Sequence, residues 1–398
     1  MKALQDAYIV AAARTPIGKA PRGMFKNTRP DDLLVCALQA ALAQVPGLDP
    51  VLIDDAIVGC AMPESEQGFN VARIAVLLAG LPNSVGGVTI NRFCASGMTA
   101  ISMAADRIRV GEADVMIAAG TESMSMVPMG GFHPSFNPLI VAKDENIGMA
   151  YGMGMTAEKV AEQWKISREA QDQFALQSHQ KALRAIEAGE FREEICPVNI
   201  VEQFPTLGSA ELEIKTRQAL IDEGPRADTN LQSLAKLKPA FAAKGSVTAG
   251  NSSQMSDGAG ALILVSEKIL KQFALKPLAR FAGFAVKGVP PEIMGIGPKA
   301  AIPAVLDKTG LKLDDMGWIE LNEAFAAQAL AVIKDLGLNP DVLNPLGGAI
   351  ALGHPLGATG AIRACTAIYG MRRRQAQYAM VSMCIGTGMG AAGIFENV

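Results

Sequence analysis

One arrangement occurs twice along this chain. A glycine-containing turn leads into an Ala-rich helical stretch, and an apolar strand ending near glycine follows. The first copy is the turn "NRFCASGM" (91–98), a helix over 96–109 with Met98, Ile101, Ala105 and Ile108 on one side, and the strand "ADVMIAAG" (113–120). The second is "GGAIALGHPLGATGAIRA" (347–364), a helix near 361–371, and the strand "YAMVSMC" (378–384) running into "IG". Strands alternating with helices of 3.6 period call for a layered α/β fold. A repeat this long calls for two similar halves rather than a solenoid.

The surrounding pattern fits two such halves. In the first, residues 31–45 place Leu34, Leu38, Ala41 and Val45 on one helical face. "DAIVGC" (55–60) and "VGGVTIN" (85–91) read as strands, and the chain enters a strand at Tyr8–Ala11. The second half carries strands at "PLARFAGFAV" (277–286), "GWIEL" (317–321) and "AAGIFEN" (391–397), with helices near 300–308 and at 323–336. Between the halves the texture changes. A Met-, Gly- and Pro-rich stretch (124–154), a charged helical region (167–191) and a polar segment to about 245 read as one long insertion, after which the core pattern resumes at "GAGALILVSE" (258–267). Insertions of this kind commonly cover or shape a site. The expected organisation is a first half from residues 1–120 plus 250–275, an inserted loop domain at 121–249, and a second half at 276–398.

A chain of 398 residues is long enough for that division and for sizeable cores. Its 19% charged and 49% apolar residues are those of a globular protein, and a net charge of −3 leaves no footprint for a nucleic-acid partner. The six cysteines form no CxxC pair and there are only three histidines, so no metal site of familiar spacing is expected and the thiols are expected to be reduced. No apolar run is long enough to insert in a membrane. The first residues lack the character of a signal or transit peptide, and the final "FENV" is no organelle address, so the expected location is cytoplasmic.

Four stretches can carry chemistry. Cys94 sits in a strand-to-helix turn, where a helix N-terminus favours a thiolate and offers N–H groups to an oxyanion; a small buried hydrophobe is the other reading of the same residue. His354 lies among five glycines in "GGAIALGHPLGATG" (347–360), with Pro355 biasing it away from helical geometry. A histidine so constrained suits general-base work near neutral pH. Cys384 ends a strand and enters "SMCIGTGMG" (382–390). There Gly388, Gly390 and Gly393 match the GxGxxG spacing, but only five residues follow Gly393, so the helix of a dinucleotide fold has no room. The glycines are better read as letting backbone N–H groups, such as that of Gly386, point into a site. Asn322, in "ELNEAFAAQ" (320–328), falls at an expected helix N-cap, which is also where α/β sites collect polar groups.

Taken in order, these blocks closely resemble the thiolases, the family of 3-ketoacyl-CoA thiolases and acetyl-CoA acetyltransferases. The resemblance runs from "ARTPIGKA" (13–20) through "TAGNSSQMSDGA" (248–259), "NEAFAAQ" (322–328) and "NPLGGAIALGHPLGATGA" (344–361) to "CIGTGMGAAGIFE" (384–396). It implies a duplicated five-layer αβαβα core with an inserted loop domain. It implies that Cys94 takes the acyl group as a thioester, that His354 activates Cys94, and that Cys384 moves a proton to or from the methyl carbon of acetyl-CoA. Asn322 would orient a water opposite His354 at one oxyanion site, and the N–H groups of Cys94 and Gly386 would form the other. Coenzyme A would enter as a substrate along Arg226, Ser233, Phe241 and Ser253, with no metal and no tightly bound cofactor. The implied partners are CoA thioesters, and the implied assembly is a homodimer or a tetramer built from dimers.

Within the family, short-chain biosynthetic members resemble one another in a histidine a few residues before the "TAE" that here is Thr156-Ala157-Glu158. This chain has Gly152 near that position. With "VPPEIMGIGP" (289–298), the resemblance is to the degradative branch. Such a 3-ketoacyl-CoA thiolase reversibly cleaves 3-ketoacyl-CoA to acetyl-CoA and a shortened acyl-CoA, as in fatty-acid β-oxidation. The alternative is an acetyl-CoA C-acetyltransferase making acetoacetyl-CoA. A decarboxylating condensing enzyme would pair its cysteine differently, and a silent CoA-binding protein would lack one of the acid/base groups.

Overall fold

The computed structural model describes residues 4–398. Its strands are β1 (Ala7–Arg14), β2 (Gly18–Lys19), β3 (Asp55–Gly59), β4 (Val88–Ile90), β5 (Val115–Ser123), β6 (Val198–Pro205), β7 (Leu212–Ala219), β8 (Ser256–Ser266), β9 (Ala279–Gly288), β10 (Met316–Leu321), β11 (Tyr378–Ile385) and β12 (Met389–Glu396). Its helices are α1 (Pro30–Ala43), α2 (Val71–Leu78), α3 (Ser96–Arg109), α4 (Met153–Trp164), α5 (Arg168–Ala188), α6 (Leu231–Ala235), α7 (Glu267–Gln272), α8 (Gly297–Thr309), α9 (Ala326–Leu336), α10 (Ala349–Leu352) and α11 (Thr359–Arg373).

The strands hydrogen-bond in the order β10-β11-β12-β9-β1-β8-β5-β3-β4, with β2 joining β8. Two pair registers, Tyr8 with Arg280 and Ile9 with Ala279, are all that link β1 to β9. That junction divides two sheets of the same design. In one, β1 and β8 pair antiparallel, as do β8 and β5, while β5, β3 and β4 run parallel. In the other, β9, β12 and β11 are successively antiparallel, and β11 and β10 are parallel.

The helices α3 and α11 lie between the sheets. α3 touches β3 and β5 on one side and β9 and β12 on the other, and α11 touches β5 and β8 as well as β10 and β11. Their shared core takes Ile101, Ile108, Leu262 and Leu264 from the first half and Phe281, Ile368, Val381 and Phe395 from the second. α1 and α2 cover the outer face of the first sheet, and α8 and α9 that of the second. The result is five layers, αβαβα. Strands covered on both faces read as continuous apolar runs, and β5 and β8 are buried along their whole lengths.

The two central helices approach through glycine. A Cβ built on Gly360 would stand 2.1 Å from the Met98 nitrogen, and one on Gly97 would stand 2.6 Å from that of Ala361. Each helix is entered by a short 3-10 turn, Phe93–Ala95 before α3 and Leu356–Ala358 before α11. The duplication therefore reaches down to how these helices begin.

Three details differ from the sequence reading. The strand expected over 85–91 is only Val88–Ile90. The segment read as merely polar contains the β6–β7 hairpin, in which Val198 and Ile200 face inward and most other residues face out. Asn322 is not a helix cap. The N-cap falls at Phe325, because residues 322–325 run beside the 251–253 segment, with Ser253 N–H donating to Ala324 O and Ala326 N–H to Asn251 O. Gly388, Gly390 and Gly393 sit at the turn and along β12, an antiparallel strand with no helix after it among the described residues.

Candidate active site

The polar and nucleophilic side chains gather where strands end. Cys94 follows β4, Asn322 follows β10, and Cys384 is the last but one residue of β11. Such carboxyl ends are where α/β sheets build sites. His354 arrives from the loop between α10 and α11.

Cys94 is 7% exposed. Its turn begins at Phe93, whose φ of 45° is unusual for a side-chain-bearing residue. Burial pushes its thiol up to about 12. The backbone N–H groups of Gly386 and of Cys94 itself point at the sulfur and pull the other way, and nearby Glu122 adds to the rise. Those two N–H groups are the pair expected to hold an oxyanion. Gly386 opens the three-residue turn between β11 and β12, with Thr387 and Gly388 both at positive φ. Cys384 is fully buried, and burial is the larger cause of its raised pKa, with the nearby Cys94 adding to the rise.

His354 is neutral. Burial, with the positive charge of Arg363 adding to it, lowers its pKa to about 3. Three contacts fix it: Ser256 Oγ accepts its backbone N–H at 3.1 Å, Nδ1 lies 2.6 Å from Thr359 Oγ1, and Nε2 lies 3.3 Å from Asn322 Nδ2. Asn322 Oδ1 is buried with no hydrogen-bond partner in the protein. Freed from capping, the Asn322 side chain lies against the His354 ring.

Buried carboxylates brace these loops. Glu122 accepts N–H groups from Ala61, Met62 and Gly357 and the amide of Gln67, which pins the turn after His354 to the end of β5. Glu323 accepts from Ser178 Oγ, Asn344 Nδ2 and the Ile350 N–H, tying α5 to the chain that leads into the His354 loop. Burial raises both pKa values. Charge without ligand contact is affordable here only because hydrogen bonds replace water.

Cys94 and His354 line one cavity of about 500 Å³ together with Phe241, Ser253, Phe325 and a group of methionines, Met124, Met129, Met153, Met255 and Met294. Much of this lining comes from the connection between β5 and β8. A second cavity of about 380 Å³ is lined by Lys19, His179, Arg226 and Ser233, and it shares Ala249, Ser252 and Gln254 with the first. The four residues expected along the CoA path thus divide two and two between adjoining chambers. Phe241 packs edge-on against Phe325, their centroids 6.0 Å apart. Arg226 pairs with Asp228 and Ser233 closes a capping box with Asn230, so each also has a local structural role.

Sequence reasoning missed several residues. Thr359, His179 and the bracing Glu122 and Glu323 drew no attention. Nor did the methionine lining, although the chain's 19 methionines were a compositional signal. Soft, unbranched side chains of this type adapt to ligands of varied shape. His179 is buried on α5, and its Nδ1 accepts the Arg226 N–H at 3.2 Å. Burial, then Arg226 and Lys19, lower its pKa to about 4.

Comparison with known proteins agrees with this fold. Residues 7–268 match the family described as thiolase, N-terminal domain, and residues 275–397 match thiolase, C-terminal domain. The chain is 48% identical over 394 residues to a 3-ketoacyl-CoA thiolase of Bacillus subtilis, covering 99% of this chain and 100% of the other. Human mitochondrial 3-ketoacyl-CoA thiolase in complex with CoA superposes with a TM-score of 0.88 at 40% identity, covering 100% of this chain and 99% of that one. The acetyl-CoA acetyltransferase of Bacillus anthracis gives a TM-score of 0.87 at 39% identity, with 100% of both chains covered. The chain belongs to the thiolase family.

Proposed function

We propose that the protein is a 3-ketoacyl-CoA thiolase, an acyltransferase that cleaves 3-ketoacyl-CoA with coenzyme A to acetyl-CoA and a shortened acyl-CoA. The observation that carries the reading is the Cys94 sulfur facing the N–H groups of Cys94 and Gly386, with His354 on the same cavity wall and Cys384 beside it.

In this reading the Cys94 proton passes to His354 as the sulfur attacks the 3-keto carbon. The keto oxygen becomes an oxyanion that the N–H groups of Cys94 and Gly386 receive. The bond between C2 and C3 then breaks. Its electrons form the enolate of acetyl-CoA, stabilised beside His354 and Asn322, and the Cys384 thiol supplies the proton to C2. The incoming CoA thiol gives its proton back to Cys384 and attacks the Cys94 thioester; the Cys94 thiolate leaves, takes its proton back from His354, and the shortened acyl-CoA is released. No redox change occurs at any step. Cleavage exchanges the C2–C3 bond and a thiol S–H for a C–H and a new thioester, the transfer from Cys94 to CoA exchanges one thioester for another, and the same groups serve the reverse steps.

The outer chamber with Lys19, Arg226 and Ser233 suits the polar body of CoA, and the methionine-lined chamber suits the acyl chain. No helix among the described residues is long and apolar enough to cross a membrane. All six cysteines are free, and a working Cys94 needs a reducing setting, which supports the cytoplasm as its place of action. A homodimer is supported by β4, which ends the sheet with Val88 exposed and is flanked by exposed Phe69, Leu77 and Leu78. The likeness to an acetyl-CoA acetyltransferase keeps condensation of two acetyl-CoA as the second reading.

The test is thiolysis of 3-ketoacyl-CoA substrates from about four to sixteen carbons. Turnover of chains beyond the shortest is expected. Activity confined to acetoacetyl-CoA would favour the second reading, and none at any length would refute both.

A further inference from the structure

The base in this site has two nitrogens, and only an unprotonated one can take the Cys94 proton. Which nitrogen that is depends on a residue outside the cavity wall. Thr359 is the first residue of α11 and is 1% exposed, so solvent does not compete for its hydroxyl. Its Oγ1 lies 3.0 Å from the carbonyl oxygen of Pro355 and 2.6 Å from His354 Nδ1. A hydroxyl has one proton to give. With the hydroxyl proton on the Pro355 carbonyl, which also accepts the Ala358 and Thr359 N–H groups, the Thr359 oxygen faces Nδ1 as an acceptor, and in that arrangement Nδ1 carries the hydrogen.

On the opposite side of the ring Asn322 Nδ2 stands 3.3 Å from Nε2, and with the amide placed this way it donates to a lone pair on Nε2, which fits the same state. The Pro355 contact carries the argument whichever way the Asn322 amide is turned. With Nε2–H instead, the Thr359 hydroxyl would have to leave the carbonyl and two oxygens would face each other in a buried site.

We propose that Thr359 is a positioning residue that holds His354 as the Nδ1–H tautomer and so leaves Nε2 free to receive the Cys94 proton. Its meaning for catalysis rests on the acyl-transfer reading above. The proton then sits on Nε2, beside Asn322, where it becomes a donor to the oxygen of the forming enolate. Thr359 would thereby decide both halves of what His354 does.

The chain supplies its own reference. His179 Nδ1 accepts the Arg226 N–H, so His179 must be the Nε2–H tautomer. His133 lies exposed in a loop, and there is no fourth histidine. Two-bond ¹H–¹⁵N spectra of the ¹⁵N-histidine-labelled protein, assigned with H133Q and H179Q, should show His354 protonated at Nδ1 and His179 at Nε2. His354 protonated at Nε2 overturns the proposal.

The kinetic arm uses Thr359→Val, which keeps the shape and removes the hydroxyl. The expected result is a fall in kcat of roughly 100-fold or more, within the range that general acid–base catalysis contributes. KM should stay within about threefold, and Thr359→Ser should recover most of kcat. A folded Thr359→Val with full kcat overturns the proposal. Should that variant not fold, the spectrum of the unaltered protein still decides. The spectrum reads the ring without substrate, so failure of the thiolase reading and failure of the tautomer assignment give different results.

Discussion

Cys94 and His354 rest as a neutral pair. Burial costs the thiolate and the imidazolium alike, moving one pKa to about 12 and the other to about 3. The site thus differs from one that stores a thiolate–imidazolium ion pair, and proton transfer waits for the acyl carbon. The sign of a pH test follows. Alkylation needs the thiolate, whose share below the pKa grows about tenfold per pH unit, so labelling of Cys94 by iodoacetamide should climb through pH 9 without a plateau. A plateau already reached at pH 7 would mean a preformed ion pair. The proposed mechanism gives Cys384 a separate role: Cys384→Ala should abolish carbon–carbon bond cleavage and formation while exchange of labelled CoA into acetyl-CoA persists. Equal loss of both would remove that distinction. Residues held by local constraint, Cys94 in its turn and His354 between glycine and proline, were legible from the sequence. Thr359 and His179 were not, because what makes them matter is a hydrogen bond that exists only after folding.

The elements were legible where apolar periodicity was strong. α3 was placed at its observed ends, and most core strands within about two residues. The β6–β7 hairpin was missed because only alternate residues near its base are buried, leaving little apolar signal. The start of α9 was placed too early, since pairing with the 251–253 segment competes with helix formation there. The close crossing of α3 and α11 could not be read at all. It depends on Gly97 facing the Ala361 backbone and Gly360 facing that of Met98, which no local pattern reports. Because α3 begins beside Cys94 and α11 beside His354, this crossing sets the spacing of nucleophile and base. Gly360→Ala would drive a Cβ against the Met98 backbone and should destabilise by about 1–3 kcal/mol or more. Gly47→Ala, with nothing near its Cβ, should change stability by less than about 0.5 kcal/mol. Urea and thermal melts of the two variants check the contrast, and equal midpoints would contradict the account of the crossing.

At the scale of the molecule, duplication gives a site with contributions from both halves: Cys94 from the first, and Asn322, His354, Cys384 and Gly386 from the second. The connection from β5 to β8 closes over them, and a buried ionic cluster ties it down. Arg14 of β1 pairs with Glu194 and Asp222 from that connection, and Glu194 also accepts the Thr366 hydroxyl from α11. Removing Arg14 leaves two carboxylates buried without their cation, so Arg14→Met should cost roughly 3–5 kcal/mol. It should also make residues 190–222 more open to limited proteolysis. Unchanged stability and cleavage would show that the connection is held by other means. The central claim is that the two halves meet to make Cys94 an acyl carrier. Its most direct measurement is intact mass after incubation with acetyl-CoA, followed by peptide mapping. One acetyl group on Cys94 is expected, formed far more slowly in His354→Ala and absent from Cys94→Ala. An acetyl group that maps elsewhere, or that persists in Cys94→Ala, would contradict the account.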